Sequence, residues 1–105
     1  MISEPIIKEA VERLVSIASP SKVILFGSHA RGDAVDDSDV DFLVIEREVN
    51  DVGAEMMRLH KALWPLNIPV DILVCSESDF VKKLEWRSSA IYWAAREGKV
   101  LYAAN

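Results

Sequence analysis

Residues 23–45 read VILFGSHARGDAVDDSDVDFLVI, and the rest of the chain is arranged around this stretch. It begins with an unbroken apolar run at residues 23–26, which is typical of a buried strand. Gly27 ends the run with a residue that lets a ligand approach the backbone closely. If residues 28–31 begin a helical turn, their free N–H groups point toward the Gly27-Ser28 corner, where the Ser28 hydroxyl adds another donor. The corner is therefore predicted to bind phosphate.

Two aspartates, Asp39 and Asp41, lie at the start of a second apolar run, residues 40–45. Positions i and i+2 of a strand are about 6.6 Å apart and project from the same face. Two carboxylates so placed repel each other and also repel a phosphate, unless a divalent cation lies between them. Mg²⁺ binds carboxylate and phosphate oxygens in this way, so the stretch predicts a magnesium site beside the phosphate site.

Three other interpretations of these residues are weaker. A P-loop requires Lys-Ser/Thr where this chain has Asp33-Ala34. A calcium loop that began with Asp37, Asp39 and Asp41 would need Gly at the position of Phe42. An acidic surface turn is the third, but charged pairs seldom continue onto one face of an apolar strand.

The complete pattern is Gly27-Ser28-x-x-Arg31-Gly32-x5-Ser38-Asp39-x-Asp41. It resembles the signature of the DNA polymerase β-like nucleotidyltransferase superfamily in its smallest form, the minimal nucleotidyltransferase (MNT) domain. The ending REGKVLY at residues 96–102 is similar to the close of many such domains. The resemblance implies an α/β (α+β) fold, a small mixed sheet flanked by helices, with the helices on one side and the active site at the strand ends.

The order of elements follows from apolar periodicity and from cap residues. Ser3 is predicted to cap a first helix, which ends at Pro20. Asn50 or Asp51 is predicted to cap a second helix, which reaches about Trp64. Ser76 or Ser78 is predicted to cap a third helix to about residue 85, and Gly98 to cap the end of a fourth at residues 89–97. Strands are expected at residues 22–26, 40–45, 69–75 and 100–102, the last at an edge of the sheet, and the second at its centre.

A short internal repeat in the sequence indicates a third aspartate. The sequence VDFLV at residues 40–44 is nearly repeated as VDILV at residues 70–74. One helix separates the two strands, which is the length of a crossover between parallel neighbours. Equivalent register would place Asp71 beside Asp41, and the family pattern has a matching aspartate after a similar helix. Asp71 is therefore predicted to complete a site of three carboxylates.

The resemblance implies a reaction and assigns its parts. An acceptor hydroxyl attacks the α-phosphate of a nucleoside triphosphate and pyrophosphate leaves, with two Mg²⁺ ions as cofactors. Asp39 and Asp41 are expected to bind both ions, whereas Asp71 binds one of them and can take the proton of the hydroxyl. Gly27 and Ser28 are expected to hold the β- and γ-phosphates.

Three polar residues of the motif have less definite roles. Arg31 is predicted to neutralise nucleotide charge, with a surface ion pair to Asp33 or Asp36 as the alternative. Ser38 is included in the nucleotide-binding set, mainly because it is expected to fix the turn that aims Asp39. His29 lies at a position that varies in the family pattern, and no catalytic role is predicted for it.

Length and charge restrict the class of protein and its partners. A chain of 105 residues with 50% hydrophobic residues is expected to form one domain, residues 1–105. It has no apolar run long enough for a membrane span and no basic N-terminal start of a signal peptide, so a cytoplasmic location is expected. The net charge is −5 and no basic stripe is visible, so nucleic acid is not expected as a partner. The single cysteine, Cys75, is expected to be a small buried thiol.

The function predicted is transfer of a nucleotide, AMP from ATP, to a hydroxyl of a protein partner. MNT domains are often paired with all-helical HEPN toxins, and an exposed subset of Trp86, Tyr92 and Trp93 is expected to offer a docking surface, the others being core. One alternative is an antitoxin that binds nucleotide without catalysis and acts by forming a complex. Another is an enzyme that modifies a small molecule such as an antibiotic. The acceptor, the base preference and the oligomeric state, a homo-oligomer included, stay open.

Overall fold

One four-stranded sheet forms the centre of the computed structural model, which describes residues 2–104. Its strands are β1 (Lys22–Phe26), β2 (Val40–Glu46), β3 (Val70–Ser76) and β4 (Lys99–Ala103). Their spatial order is β3-β2-β1-β4. β1 is antiparallel to β2 and β4, whereas β2 and β3 are parallel. The sheet is therefore mixed, as expected, with β4 at one edge.

β2 lies between two hydrogen-bonded neighbours. Its residues Phe42, Leu43 and Val44 are fully buried, with 0% of each side chain accessible to solvent. Because successive strand residues point to opposite faces, apolar side chains are buried on both faces of β2. The central position predicted for this strand is confirmed.

The helices begin and end largely where the cap residues indicate. They are α1 (Glu4–Ala18), the single turn α2 (Ser28–Arg31), α3 (Val52–Leu63), α4 (Glu77–Lys83) and α5 (Ala90–Glu97), with a 3-10 turn at Trp64–Leu66. Within residues 2–104, none of these helices has the length and apolar character that a membrane crossing requires.

Side-chain caps are confirmed at two of the predicted positions. The Asp51 carboxylate accepts a hydrogen bond from the Ala54 N–H at 3.0 Å, at the start of α3. The Ser76 hydroxyl accepts one from the Asp79 N–H at 3.2 Å, at the start of α4. Ser3 is the N-cap residue of α1, as predicted, and its carbonyl accepts a hydrogen bond from the Ile7 N–H at 3.1 Å, but its side chain makes no cap hydrogen bond.

Gly98 does not act as a left-handed helix cap. Its backbone is extended, with φ −79° and ψ 169°. A Cβ at this position would press on the Ala94 carbonyl and the Ile24 side chain, and would lie 2.8 Å from the Leu25 carbonyl. Gly98 ends α5 as predicted, with its N–H donating to the Ala94 carbonyl at 2.9 Å, but glycine is needed here for close packing where α5 passes over β1 into β4.

The two faces of the sheet each carry a hydrophobic core. On one face α1 and α3 pack on β1, β2 and β3, and the core residues include Leu14, Phe42 and Leu59. On the other face, Ile91 and Ala94 of α5 pack on Ile24, Leu43, Ile45 and Cys75. The expectation of helices on one side only was wrong. The apolar runs of β1 and β2 alternate between both faces, so both need a cover.

Cys75 lies in the second of these cores. It is a free cysteine with 2% of its surface accessible. Burial raises the pKa of its thiol to about 11, because the thiolate would lose its hydration. The prediction of a small buried thiol is confirmed.

Candidate active site

Gly27 joins β1 to α2 beside the start of β2. Its backbone has φ 73° and ψ −156°, a conformation that is essentially restricted to glycine. Phe26, the residue before it, pairs with Asp41 of β2. A Cβ on Gly27 would collide with the Asp41 carboxylate and would lie 3.0 Å from its Cγ. Glycine is therefore required here both by the backbone conformation and by the close approach of a carboxylate.

The turn α2 begins at this corner. The Gly27 carbonyl accepts hydrogen bonds from the N–H groups of Ala30 at 3.1 Å and Arg31 at 3.0 Å. The N–H groups of Ser28 and His29 precede these bonds, so they point out of the first turn toward the corner. Gly32 ends the turn in the left-handed conformation, with φ 85°. The helical turn expected at this corner is therefore present, and phosphate binding by its N–H groups stays a prediction.

Asp41 and Asp71 lie side by side in the sheet. They are register partners on the parallel strands β2 and β3, and neighbouring strands are about 4.8 Å apart. Asp39 lies one residue before β2. The predicted parallel pairing and its register are confirmed. Asp39 is close enough to Asp41 to raise the pKa of the Asp41 carboxyl.

The pKa of the Asp41 carboxyl records this crowding of negative charge. It is raised above its ordinary value, first by burial and then by repulsion from Asp71 and Asp39. His29 and Arg31 act in the opposite direction. Three carboxylates and two basic side chains thus influence one another at the end of the sheet where the Gly27 corner lies.

The carboxylates do not form a finished metal cage. Among residues 2–104, no group of three or more His, Cys, Asp or Glu side chains is close enough to hold a metal ion by itself. Mg²⁺ usually binds to one or two carboxylates and completes its coordination with water and substrate phosphates. The donor set, oxygen ligands from carboxylates beside a phosphate-binding corner, fits a hard cation shared with a nucleotide.

Ser38 holds the turn before Asp39. Its hydroxyl accepts a hydrogen bond from the Val35 N–H at 2.9 Å, and its N–H donates to the Val35 carbonyl at 3.0 Å. The geometry matches the turn-fixing role expected from sequence. These bonds do not themselves involve the corner at Gly27.

Arg31 makes two ion pairs on the surface. Its guanidinium lies 3.3 Å from the Asp33 carboxylate and 3.7 Å from that of Glu97 at the end of α5. Asp33 is the alternative partner that the sequence indicated, whereas Glu97 is distant in sequence and gave no signal. Nucleotide binding by Arg31 requires these pairs to be exchanged for phosphate contacts.

His29 makes contacts that the sequence analysis missed. Its Nδ1 lies 3.0 Å from the Asp39 carbonyl oxygen, and its Nε2 accepts a hydrogen bond from the Ile2 N–H at 3.3 Å. The only available signal was its place inside the motif, between the corner and Arg31. A bond across ten residues of irregular loop has no periodicity from which to predict it.

A second carboxyl group with a raised pKa, Glu46, lies away from this site. Burial and the neighbouring Glu55 carboxyl raise the pKa of Glu46 to about 7. Arg58 holds Glu55 through two bonds of 2.7 and 2.8 Å and also donates to the Ile17 carbonyl. Glu46 is five residues from Asp41, about 16 Å along the strand. The cluster connects β2, α3 and α1 at the opposite end of the sheet.

A cavity of about 850 Å³ is also separate from the carboxylates. It lies between α1 and β4, with Val11, Leu101 and Tyr102 in its walls. The side chain of Asp41 points to the other face of the sheet, with Leu43 and Ile45. Of the motif residues, His29 and Gly32 reach the rim of this cavity.

Comparison with known proteins decides the family. A family model described as a nucleotidyltransferase domain matches residues 5–96. The chain belongs to the nucleotidyltransferase domain family. The fold and motif resemblance found in the sequence is thereby confirmed, and this nucleotidyltransferase is an enzyme of the transferase class.

A relative of known sequence covers almost the whole chain. This nucleotidyltransferase is 36% identical over 104 residues to MJ0604 of Methanocaldococcus jannaschii, whose name describes it as a candidate protein adenylyltransferase. The alignment covers 97% of this chain and 100% of the relative. The two proteins therefore correspond over their full domain.

Solved structures share the fold. A crystal structure of a nucleotidyltransferase candidate from Sulfolobus solfataricus superposes with a TM-score of 0.65 at 24% identity, over 94% of this chain and 78% of the other. A toxin–antitoxin complex with AMP-PNP gives 0.66 at 20% identity, over 93% and 74%. A mutant MntA–HpeT toxin–antitoxin structure gives 0.64 at 19% identity, over 93% and 74%. At these identities the likeness concerns the fold alone.

Proposed function

We propose that this nucleotidyltransferase is a Mg²⁺-dependent adenylyltransferase that transfers AMP from ATP to a hydroxyl side chain of a protein partner. The observation that carries the proposal is the Asp41 carboxylate, which lies against Gly27 and beside Asp71 in register. A carboxylate pressed against a phosphate-binding corner has a use if a cation joins it to a bound triphosphate. A purely structural strand gains nothing from such an arrangement, because both burial and like charge oppose it.

The residues have distinct parts in the proposed reaction. The Gly27-Ser28 corner binds and orients the β- and γ-phosphates with backbone N–H groups and the Ser28 hydroxyl. Asp39, Asp41 and Asp71 would hold Mg²⁺, two ions by family resemblance. The metal, when bound, supplies electrostatic stabilisation of phosphate charge and lowers the pKa of the attacking hydroxyl. Ser38 keeps Asp39 in place, and Arg31 adds positive charge near the phosphates.

The proposed step is a substitution at the α-phosphorus. A bond forms between the acceptor oxygen and the α-phosphorus, and the bond from that phosphorus to the bridging oxygen of the leaving group breaks. The electron pair leaves with pyrophosphate. The proton of the hydroxyl passes to Asp71, an exposed carboxylate at the mouth of the site, and from there to solvent.

A protein acceptor is supported by the surface of the chain and by its relatives. Exposed apolar side chains cluster on α4, α5 and the segment between them: Val81, Leu84, Trp86 and Trp93. Trp86 is 56% and Trp93 47% accessible, and a patch of exposed apolar side chains often marks a protein–protein interaction site. The relative from M. jannaschii is named for protein adenylylation, and two of the similar folds come from toxin–antitoxin complexes. A HEPN-type toxin is the partner that the family resemblance implies.

The same exposed cluster favours a second candidate function. A nucleotide-binding antitoxin that only covers its partner would also present Trp86 and Trp93 at an interface. It would have no use for Asp71 beside Asp41, and for this reason the catalytic proposal is preferred.

One experiment separates the two functions. The protein is incubated with ATP, Mg²⁺ and the protein encoded beside it, and the partner is then examined by intact-mass and peptide mass spectrometry. We expect the mass of an added AMP on a hydroxyl residue, and no such addition with Asp39→Ala. A stable complex without any modified residue would instead support the binding-only antitoxin.

A further inference from the structure

We propose that His29 is a positioning residue, which fixes Asp39 by donating a hydrogen bond from its Nδ1 to the Asp39 backbone carbonyl. The inference rests on the proposed function, because Asp39 is one of the proposed metal ligands. It adds a role to a motif position that varies within the family pattern.

The two hydrogen bonds of the imidazole determine where its proton is. The Ile2 N–H can only donate, so Nε2, at 3.3 Å, must accept and carries no proton. The Asp39 carbonyl can only accept, so Nδ1, at 3.0 Å, must donate. The two bonds together therefore make Nδ1 the donor and Nε2 the acceptor of the ring.

The position of His29 in the chain gives this bond its effect. His29 is the second residue of α2, the turn whose first N–H groups face the Gly27-Ser28 corner. Ala30, the next residue, is buried and anchors the turn to the core. The imidazole thus ties the segment that carries Asp39 to the element that carries the phosphate corner. The His29 side chain and the turn at Ser38 thus both restrain Asp39 relative to the phosphate corner.

Asp39 is also held from the side of the sheet. The N–H of Val40, the residue after it, donates to the Pro69 carbonyl at 2.9 Å, which is the first contact of β2 with the segment leading into β3. The peptide group between Asp39 and Val40 therefore has its N–H fixed by β3 and its carbonyl fixed by His29. With both polar groups of this peptide plane bonded, the Asp39 Cα, which lies in the same plane, is held in place.

Three substitutions separate the two bonds of the ring. His29→Phe keeps a ring of similar size and removes both bonds. His29→Asn retains an N–H donor near the position of Nδ1, whereas His29→Gln reaches the position of Nε2 and loses the donor toward Asp39. The same three changes at His60 on α3, the other histidine of the chain, are the matched controls.

The main readout is Mn²⁺ affinity in the presence of a non-hydrolysable ATP analogue, measured by titration calorimetry. We expect it to fall about tenfold in His29→Phe and His29→Gln, the loss that corresponds to one hydrogen bond, and to stay within about threefold of wild type in His29→Asn. Binding of the analogue without metal and the melting temperature should be alike in His29→Asn and His29→Gln. The rate of AMP transfer should follow the Mn²⁺ affinity, and the His60 variants should behave as wild type.

A second readout needs neither metal nor activity. A long-range ¹H–¹⁵N spectrum of the metal-free protein distinguishes a protonated from an unprotonated ring nitrogen, and the His29→Asn spectrum identifies which signals belong to His29. We expect a protonated Nδ1 and an unprotonated Nε2. A proton on Nε2 would overturn the inference, as would wild-type Mn²⁺ affinity in His29→Phe or equal losses in His29→Asn and His29→Gln. If the wild-type protein transfers no AMP, the proposed function fails, and the Mn²⁺ titrations and the spectrum still decide the role of His29.

Discussion

Replacement of Gly27 by alanine tests the link between the phosphate corner and the carboxylates. At φ 73° and ψ −156° an alanine is strained by about 1–3 kcal/mol. A 2 kcal/mol loss in the free energy of unfolding corresponds to roughly 8 °C in melting temperature for a domain of this size. The new methyl group would also collide with the Asp41 carboxylate. The carboxylate can rotate away, so this collision adds little to the stability loss.

The functional consequence of that rotation should be larger. To reach van der Waals contact the carboxylate oxygen has to move by roughly 1 Å, and a displacement of this size at a reacting centre costs about 100-fold in rate. We therefore expect Gly27→Ala to slow AMP transfer about 100-fold or more and to weaken Mg²⁺-dependent ATP binding. Transfer is followed with labelled ATP and the partner protein, and stability by thermal unfolding.

Gly32→Ala is the matched control for this experiment. Gly32 also has a positive φ, 85°, but a Cβ there would meet no atom within 4 Å. It should lose about 1–2 kcal/mol from left-handed strain and keep nearly normal transfer. Equal losses of activity in the two variants would show that backbone strain, and not the displaced carboxylate, is responsible. Wild-type transfer by Gly27→Ala would refute the proposed corner altogether.

Two further substitutions remove carboxyl groups whose pKa is raised in the folded protein, Asp41 and Glu46. Asp41→Asn removes a negative charge that burial and the neighbouring carboxylates Asp71 and Asp39 disfavour; one such pair of charges repels by about 0.8 kcal/mol at 5 Å in water. AMP transfer should therefore be lost, while the melting temperature stays unchanged or rises by up to about 4 °C. A large fall in the melting temperature would instead indicate a structural role for Asp41. Glu46 has a folded-state pKa of about 7 against 4.5 in the unfolded chain, so wild-type stability should fall as the pH rises from about 4.5 to 7 and then level off. Because Glu46 is partly exposed, the melting temperature of Glu46→Gln should exceed that of the wild-type protein by only about 2–4 °C at pH 8 and should equal it at pH 4.5. A difference in melting temperature that does not change with pH would contradict the cause given for the raised pKa of Glu46.

The sequence predicted the strands and the Asp41–Asp71 register because both are periodic. VDFLV and VDILV have the same alternation, and a single helix between them is the usual connection of parallel neighbouring strands. Caps at Asp51 and Ser76 followed from local chemistry, since each side chain reaches an N–H only three residues away. Features of this kind can be predicted from sequence because the residues that form them are close together in the chain.

What could not be predicted depends on contacts between segments distant in sequence. The packing of Gly98 on Ile24 and Leu25, and the pairing of Arg31 with Glu97, arise only when α5 covers the second face of the sheet. The bond from His29 to Asp39 spans a loop with no repeating pattern. For Ser3, the cap residue is in the right place, but the side chain makes no bond to the helix, and the structure offers no physical reason for this.

The in-register pairing of β2 with β3 places electrostatics and packing in conflict. A slip of two residues would keep every apolar side chain on its present face and would move Asp71 away from Asp41. Repulsion between Asp41 and Asp71 therefore favours the slipped register. The connection through α3 and the packing of Phe42, Ile72 and their neighbours favour the native register. The resting protein thus stores a local frustration that a bound cation and nucleotide would release. Ligand binding should accordingly stiffen the β2–β3 pair, and in the free protein amide protons near Asp41 and Asp71 should exchange with solvent faster than those at the centre of the same strands.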